Sequence, residues 1–185
     1  MTIIGITGTI GAGKGTIVDY LVEKRGFRHF SVRAYLLELI REKGMPENRD
    51  SMFNLANELR SLYGPAYVTD QLYFQALKSS QNCIIESIRT PGEIDSLRQK
   101  GNFILIAVDA KPEIRYARIF LRQSETDHVS LVDFIENETR EMTTDDPNKQ
   151  NLKKCIEAAD IVLDNNGSRE DLEAQVENAL EKSLL

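Results

Sequence analysis

A glycine-rich run near the start of the chain has the residue types and spacing needed to enclose phosphate groups. It follows a short apolar run and reads Gly8-Thr9-Ile10-Gly11-Ala12-Gly13-Lys14-Gly15-Thr16. The glycines let backbone N–H groups turn inward without a Cβ in the way, and a helix starting near the lysine adds its positive end. Lys14 brings a charge for phosphate oxygens, and Thr16 brings a hydroxyl for Mg²⁺. We therefore predict that these nine residues form a loop that binds the phosphates of ATP with Mg²⁺.

Hydrophobic periodicity predicts the elements that hold this loop. Short apolar runs predict strands at 3–7, 27–31, 82–86, 103–109 and 160–163. Helical patterns occur at 14–23, 33–43, 50–62, 67–79, from residue 91, and at 112–122, 130–141, 148–159 and 168–180. Strands that alternate with helices predict an α/β fold, a three-layer αβα sandwich with a five-stranded parallel sheet. Ligands of such sheets bind beyond the carboxyl ends of the strands, where the glycine-rich loop lies.

The composition narrows the class of protein and the kind of ligand. The 185 residues, 41% hydrophobic and 28% charged, fit one globular domain. A net charge of −6 disfavours nucleic acid as a partner and favours a small anion held by a few cations. The chain has neither an apolar window of the ~20 residues that a membrane span needs nor a secretion-signal pattern. Cys83 and Cys155 are the only cysteines, and neither has metal-ligand spacing, so we expect a reduced, cytoplasmic protein. Because no apolar window is long enough to span a membrane, we expect no membrane partner.

With these residues the chain resembles the P-loop nucleoside monophosphate kinase group, near the adenylate-kinase-related and dephospho-CoA-kinase-like proteins. The arrangement Gly-Lys-Gly-Thr, with Gly15 where Ser or Thr is usual, is similar to the adenylate kinase variant. Supporting stretches are NELRSLYGP, IESIRT, VDAKPEIRYAR and ADIVLDNNG. The resemblance implies a single P-loop kinase domain over residues 1–185, with acceptor-binding helices at about 33–80 and a lid at about 115–142. It also implies Mg-ATP as phosphoryl donor and a nucleoside or deoxynucleoside monophosphate as acceptor, and it leaves the oligomeric state open.

The same resemblance assigns expected roles to charged residues outside the loop. Glu86 stands where relatives carry an acidic residue, followed by Ser87 in place of a glycine, and is expected to act with Thr16 at Mg²⁺. Arg89 is expected to clamp the acceptor phosphate. Arg33 and Arg60 are expected to assist it, although relatives place an arginine a few residues beyond Arg33.

A further group of arginines falls on the predicted helix at 112–122. Arg115, Arg118 and Arg122 are three and four residues apart and therefore lie on neighbouring faces, next to the polar loop at 123–128. By resemblance this is the ATP lid, where Arg118 and Arg122 would neutralise the phosphoryl group in transfer. The turn at 165–167 would put Asn166 beside the donor adenine. His29 and His128 receive no role.

Other functions remain open at this stage. A dephospho-CoA kinase phosphorylates a hydroxyl and needs a base, yet no acidic residue occurs between Phe27 and Tyr35; Glu86 could still serve. A deoxynucleotide kinase is another alternative, since similar P-loop domains occur attached to deoxycytidylate deaminases. This sequence lacks the His/Cys zinc signature of such a deaminase. A non-catalytic ATP-binding regulatory module is the alternative from another class. Lys14, Thr16, Glu86 and Arg89 together favour catalysis over it.

Overall fold

A five-stranded parallel sheet forms the centre of the structure, a computed structural model that describes residues 1–122 and 130–183. The strands are β1 (Ile3–Gly8), β2 (Arg28–Ser31), β3 (Cys83–Glu86), β4 (Phe103–Asp109) and β5 (Ile161–Asp164). Their order is β2-β3-β1-β4-β5, and every neighbouring pair is parallel. The predicted α/β fold with a five-stranded parallel sheet is therefore confirmed, with β1 in the middle.

The register brings the ends of three strands to the same place. Ile6 of β1 lies beside Glu86 of β3, and Glu86 lies beside Ser31 of β2. Three features therefore meet at one edge of the sheet. They are the glycine-rich loop after β1, the first residues after β2, and the carboxylate at the end of β3.

Helices cover both faces of the sheet. Within the described residues they are α1 (Lys14–Arg25), α2 (Val32–Glu42), α3 (Arg49–Tyr63), α4 (Tyr67–Ser79), α5 (Pro91–Gln99), α6 (Pro112–Arg122), α7 (Leu131–Met142), α8 (Leu152–Glu157) and α9 (Arg169–Ser183). One buried apolar cluster joins the sheet to α2–α5 and α8, and another joins the opposite face to α1 and α9. Among the described helices, none is both long and apolar enough to cross a membrane.

Polar caps fix where the helices around the site begin. The side chain of Asn48 accepts a hydrogen bond from Ser51 N at 2.8 Å at the start of α3. Thr90 and Glu93 form a reciprocal capping box at the start of α5, with proline at its first turn. Asparagine and threonine are among the residue types preferred at the N-cap, and a glutamate three residues later completes a capping box.

The largest error in the predicted elements concerns α8. The predicted helix at 148–159 begins only at Leu152, because Asn151 caps it by accepting from Lys154 N at 3.1 Å. The preceding residues turn instead, with Asn148 N donating to Asp146 Oδ1 at 3.0 Å. Asparagine side chains that bond to nearby backbone compete with helix formation, which explains the shorter element.

Candidate functional site

Three glycines of the loop have backbone conformations that other residues rarely adopt. The φ angles are +146° at Gly8, +77° at Gly11 and +105° at Gly13. A Cβ at Gly8 would lie 2.1 Å from Val108 O, and a Cβ at Gly11 would lie 2.6 Å from the carbonyl oxygen of Arg115. Both the turn and the packing therefore require glycine at these positions.

Gly15 is a glycine for a different reason. A Cβ at this position would meet nothing within 4 Å, and its φ lies outside the left-handed range. Gly15 nevertheless lines the cavity beside the loop. The protein's own packing does not require a glycine here, whereas a ligand that approaches the backbone closely would.

Lys14 lies over the loop that precedes it. Its Nζ donates to the carbonyl oxygens of Gly8 at 2.9 Å and Thr9 at 2.8 Å. Burial, with a smaller contribution from the positive charge of Arg89, lowers the pKa of Lys14 from 10.5 to about 7, although nearby carboxylates oppose the shift. The ammonium group is thus costly to keep charged until an anion approaches it.

A cavity of about 470 Å³ opens beside the loop, at the carboxyl ends of the strands. Its charged walls are strongly cationic although the whole chain carries a net charge of −6. The lining cations are Lys14, Arg33, Arg49, Arg60, Arg89, Arg118 and Arg122, and the lining carboxylates are Asp19, Glu86 and Glu141. The structure therefore brings all the arginines predicted for the site into one cavity, which suits a polyanionic ligand.

Not every predicted loop residue faces this cavity. Ile10, Gly11, Gly13, Gly15 and Thr16 line it together with Lys14, whereas Gly8, Thr9 and Ala12 do not. The hydroxyl of Thr9 instead donates to Oδ1 of Asp109 at the end of β4. This bond anchors the loop to the neighbouring strand.

Glu86 at the end of β3 faces the cavity, and His29 of β2 lies behind it. His29 Nε2 lies 3.2 Å from Glu86 Oε2. Burial acts to raise the pKa of Glu86, but the hydrogen bond to His29 and the charge of Lys14 outweigh it and lower this pKa below its ordinary value. Glu86 is consequently ionised at neutral pH, and His29 has a partner that the sequence pattern does not reveal.

Two arginines on the far side of the cavity are held by buried carboxylates. Arg60 is 1% exposed and donates through Nε and Nη2 to Glu93 Oε1 at 3.1 and 2.9 Å. Its Nη1 is buried and has no hydrogen-bond partner within the described residues. Arg89 pairs with Glu141 of α7, and its backbone N donates to the other oxygen of Glu93 at 2.6 Å. One carboxylate thus organises both arginines.

The three arginines of α6 have different surroundings. Arg115 is 2% exposed, does not line the cavity, and donates to Ala110 O, Ile10 O and both oxygens of Glu138. It braces the glycine-rich loop against α6 and α7. Arg118 and Arg122 do line the cavity, and Arg118 Nη1 is buried without a hydrogen-bond partner among described atoms. The predicted lid loop at 123–128 lies outside the described residues.

The turn after β5 contacts the loop through Asn165 rather than Asn166. Asn165 Nδ2 donates to Ala12 O at 2.8 Å, and a Cβ at Gly13 would lie 2.2 Å from this nitrogen. Asn166 instead accepts from Lys111 N at 2.8 Å and does not line the cavity. Its predicted contact with the donor adenine stays a prediction.

Several lining residues escape sequence reasoning. Asp19, Arg49, Glu141 and Gln150 also line the cavity. Asp19 lies on α1 one turn after Thr16, and Arg49 follows the capping Asn48 at the start of α3, so both have a local signal. Glu141 and Gln150 reach the cavity only through the packing of segments distant in sequence, which residue spacing does not show.

The donor set fits a magnesium ion that is bound mainly by phosphate and water. Thr16 offers a hydroxyl and Glu86 an ionised carboxylate, and both line the cavity with Lys14. The described residues contain no group of three or more His, Cys, Asp or Glu side chains arranged to hold a metal. Mg²⁺ commonly uses one or two protein oxygens beside substrate phosphates, so this sparse set is sufficient.

Comparison with solved structures supports the P-loop kinase fold. A gluconokinase from Sinorhizobium meliloti superimposes with a TM-score of 0.61 at 15% identity, covering 98% of this chain and 92% of its own. A shikimate kinase from Bacteroides thetaiotaomicron gives a TM-score of 0.56 at 16% identity, covering 100% and 99%. At such identities the likeness establishes the fold alone.

Sequence comparison identifies the family. A UPF0200 protein of Thermococcus kodakarensis is 29% identical, covering 98% of each chain, and one of Methanococcus maripaludis is 28% identical, covering 100% of this chain and 98% of its own. The model of the AAA domain family matches residues 4–144. That span contains the glycine-rich loop and every cationic residue of the cavity. The chain therefore belongs to the AAA domain family and has the fold of the P-loop kinases.

Proposed function

We propose that the protein is an ATP-dependent kinase that transfers the γ-phosphoryl group to a nucleoside or deoxynucleoside monophosphate. The observation that carries the proposal is one continuous cavity with the phosphate-binding loop on one wall and Arg60 and Arg89 on another. Two anionic groups can thus be held in the same space, one by the loop and one by the arginines.

The loop side suits the donor triphosphate. The first turn of α1 and Lys14 bring positive charge to the loop, and Gly15 leaves room for close approach. Mg²⁺ bound through Thr16 and Glu86 would neutralise phosphate charge. Arg118 Nη1, which has no hydrogen-bond partner among the described residues, would donate to the phosphate oxygens as charge builds up.

The opposite side suits an acceptor phosphate. Arg60 Nη1 is a buried donor without a partner among described atoms, and such a donor is costly unless a ligand completes it. Arg89 and Arg33 line the same space and can share the charge of the acceptor phosphate. The helices α2, α3 and α4, within the predicted acceptor region at 33–80, would thus bind the acceptor, and residues 115–142 would form the lid.

A phosphate acceptor also agrees with the chemistry of the site. A phosphate monoester is already anionic and needs no base, so catalysis is mostly alignment and charge neutralisation. Among the described residues, seven cationic side chains and three carboxylates line the cavity, and this excess of positive charge can neutralise the phosphates.

A hydroxyl acceptor, as in a dephospho-CoA kinase, is the second candidate. The observation that favours it is the contact of Glu86 with His29 at 3.2 Å. Glu86 could take the proton of an acceptor hydroxyl and become neutral, while the contact with His29 orients its carboxylate. In this case Glu86 would be a base rather than a group at Mg²⁺.

An acceptor panel separates these possibilities. ATP consumption is followed with AMP, CMP, dAMP, dCMP and dephospho-CoA at fixed magnesium and salt concentrations. The proposal predicts turnover with at least one monophosphate. Turnover with dephospho-CoA alone would establish the second candidate, and tight ATP binding without any turnover would establish a regulatory module.

Two variants assign the turnover to this cavity. Lys14→Met is expected to reduce turnover by at least about a hundredfold, because it removes a charge that neutralises the transferring group. Lys24→Met, an exposed lysine near the end of the same helix, is the matched control and should retain activity. Equal activity of wild type and Lys14→Met would reject the assigned site.

A further inference from the structure

Gln150 places an unused hydrogen-bond acceptor in the cavity wall. The residue is 7% exposed and lies just before Asn151, the cap of α8. Its Oε1 is buried and has no hydrogen-bond partner among the atoms that the structure describes. Gln150 also lines the cavity. Buried amide oxygens are nearly always hydrogen-bonded in folded proteins, so this one points to a donor supplied by a ligand.

The position of Gln150 assigns this ligand to the acceptor side. The next residue, Asn151, donates its backbone N to Arg89 O at 2.8 Å. Gln150 therefore lies next to a backbone hydrogen bond to Arg89, the residue proposed to clamp the acceptor phosphate, and both residues line the cavity. Phosphate oxygens are acceptors only and cannot complete an amide oxygen. The donor must belong to another part of the acceptor molecule.

The remaining wall of the cavity suits a flat heterocycle. Apolar side chains from α2 and α3 line it, namely Val32, Leu36, Met52, Phe53 and Ala56. Val32, Leu36 and Ala56 are buried, and Met52 and Phe53 are partly exposed. An apolar slot that binds ring faces, with few polar groups to read the ring edge, is the usual construction of a ligand pocket.

We propose that Gln150 selects the acceptor base by accepting a hydrogen bond from its exocyclic amino group. This inference rests on the proposed monophosphate kinase function and adds the class of base. Adenine and cytosine carry such a group, whereas hypoxanthine and uracil carry a carbonyl oxygen at the same position. With the Gln150 amide oxygen turned towards the base, a carbonyl at this position would leave two buried acceptors without a donor, so this orientation of the amide favours a base with an amino group.

Binding of matched pairs tests the proposal independently of turnover. Calorimetric titration compares AMP with IMP and CMP with UMP, which differ at this one position. At least one amino member should bind roughly tenfold or more tightly than its carbonyl partner. Gln150→Met, similar in size without an amide, should bring that ratio to within about threefold of unity. A wild-type preference for the carbonyl members, or an unchanged ratio in Gln150→Met, would overturn the proposal.

Two further variants exclude a merely structural effect. Gln150→Glu keeps an acceptor at this position and should retain the amino preference. Asn57→Leu removes another buried amide oxygen that has no hydrogen-bond partner among the described residues but does not line the cavity, and its ratio should equal that of wild type. Thermal unfolding of each variant checks the fold. A ratio lost equally in Asn57→Leu would count against Gln150.

The same titrations separate this inference from the function on which it rests. Amino preference in binding without phosphoryl transfer would remove the kinase proposal and leave the role of Gln150 intact. Phosphoryl transfer without a binding preference for the amino bases would support the kinase proposal and remove the role of Gln150. If Gln150→Met changed the ratio of AMP to dAMP and not that of AMP to IMP, the amide would read a ribose hydroxyl, and the proposal for the base would be wrong.

Discussion

Gly15 separates what folding requires from what ligand binding requires. A Cβ there meets no atom within 4 Å, so Gly15→Ala should fold normally and gain up to about 1 kcal/mol from helix propensity. Because Gly15 lines the cavity, the added methyl group would occupy space beside the loop that the proposed phosphate ligand needs, so ATP affinity should fall about tenfold or more. Urea unfolding and nucleotide titration of the same variant measure the two effects.

Gly11→Ala provides the matched comparison for this prediction. Its φ of +77° and a Cβ position 2.6 Å from the carbonyl oxygen of Arg115 make alanine unfavourable even without a ligand. Gly11→Ala should therefore lose stability where Gly15→Ala does not. Equal loss of stability in both variants would contradict the distinction.

Lys14 should make nucleotide binding depend on pH. Its pKa is lowered to about 7 in the free protein, so the amine is mostly neutral at pH 8 and mostly charged at pH 6. A bound polyphosphate favours the charged form, and binding at pH 8 should therefore take up a proton, with less uptake at pH 6. Calorimetry of ATP binding in two buffers of different ionisation enthalpy measures this uptake.

The Lys14→Met variant serves as the control for proton uptake. Without the amine, uptake at pH 8 should disappear while any residual binding persists. Proton release, or uptake unchanged in Lys14→Met, would show that another group titrates.

At the residue scale, the sequence was informative where chemistry depends on local spacing. The loop from Gly8 to Thr16 was recognisable because its amides, lysine and hydroxyl act as one contiguous unit. Glu141 and Gln150 were not recognisable, since each reaches the cavity only through the packing of distant segments. His29 was likewise unassigned, because its contact with Glu86 depends on strand register.

At the scale of elements, the N-terminus of α5 organises the arginine side of the cavity through Glu93. Glu93 accepts from Arg60, from the backbone N of Arg89 and from Thr90 N, and it is fully buried. Glu93→Ala would leave the Arg60 charge unpaired and uncap α5. We expect a loss of about 3–5 kcal/mol in the free energy of unfolding, measured by urea denaturation.

A surface pair gives the control for this loss. Glu47 pairs with Arg41 at 2.7 Å, with side chains 38% and 63% exposed, so Glu47→Ala should lower the free energy of unfolding far less than Glu93→Ala does. If Glu47→Ala and Glu93→Ala lowered the free energy of unfolding equally, the buried contacts of Glu93 would not stabilise the protein more than a surface ion pair does.

The predicted elements agree with the structure best where hydrophobic runs are long. Strand β4 has the predicted bounds, and α3 and α5 begin within one residue of the predicted positions. The predicted start of α8 is too early because the side chains of Asp146 and Asn151 bond to nearby backbone, which hydrophobic periodicity does not detect.

At the scale of the whole molecule, charge is divided between a negative exterior and a cationic cavity. The chain carries −6 overall, yet seven cationic side chains of the described residues line the cavity. A long polyanion would lie along the exterior, whereas the proposed nucleotide ligand would enter the cavity. We expect the protein to pass through a heparin column at about 0.1 M salt while still binding ATP. Retention of the wild type on heparin at that salt would contradict this separation.

The most direct test of the proposed function is ³¹P NMR of a mixture of the protein, Mg-ATP and the nucleoside monophosphate that supports most ATP consumption. The account predicts that the ATP γ-phosphorus resonance decreases while the resonances of a new nucleoside diphosphate appear in equal amount, and that Lys14→Met abolishes both changes. Release of orthophosphate alone, with the monophosphate unchanged, would contradict transfer between the two walls of the cavity.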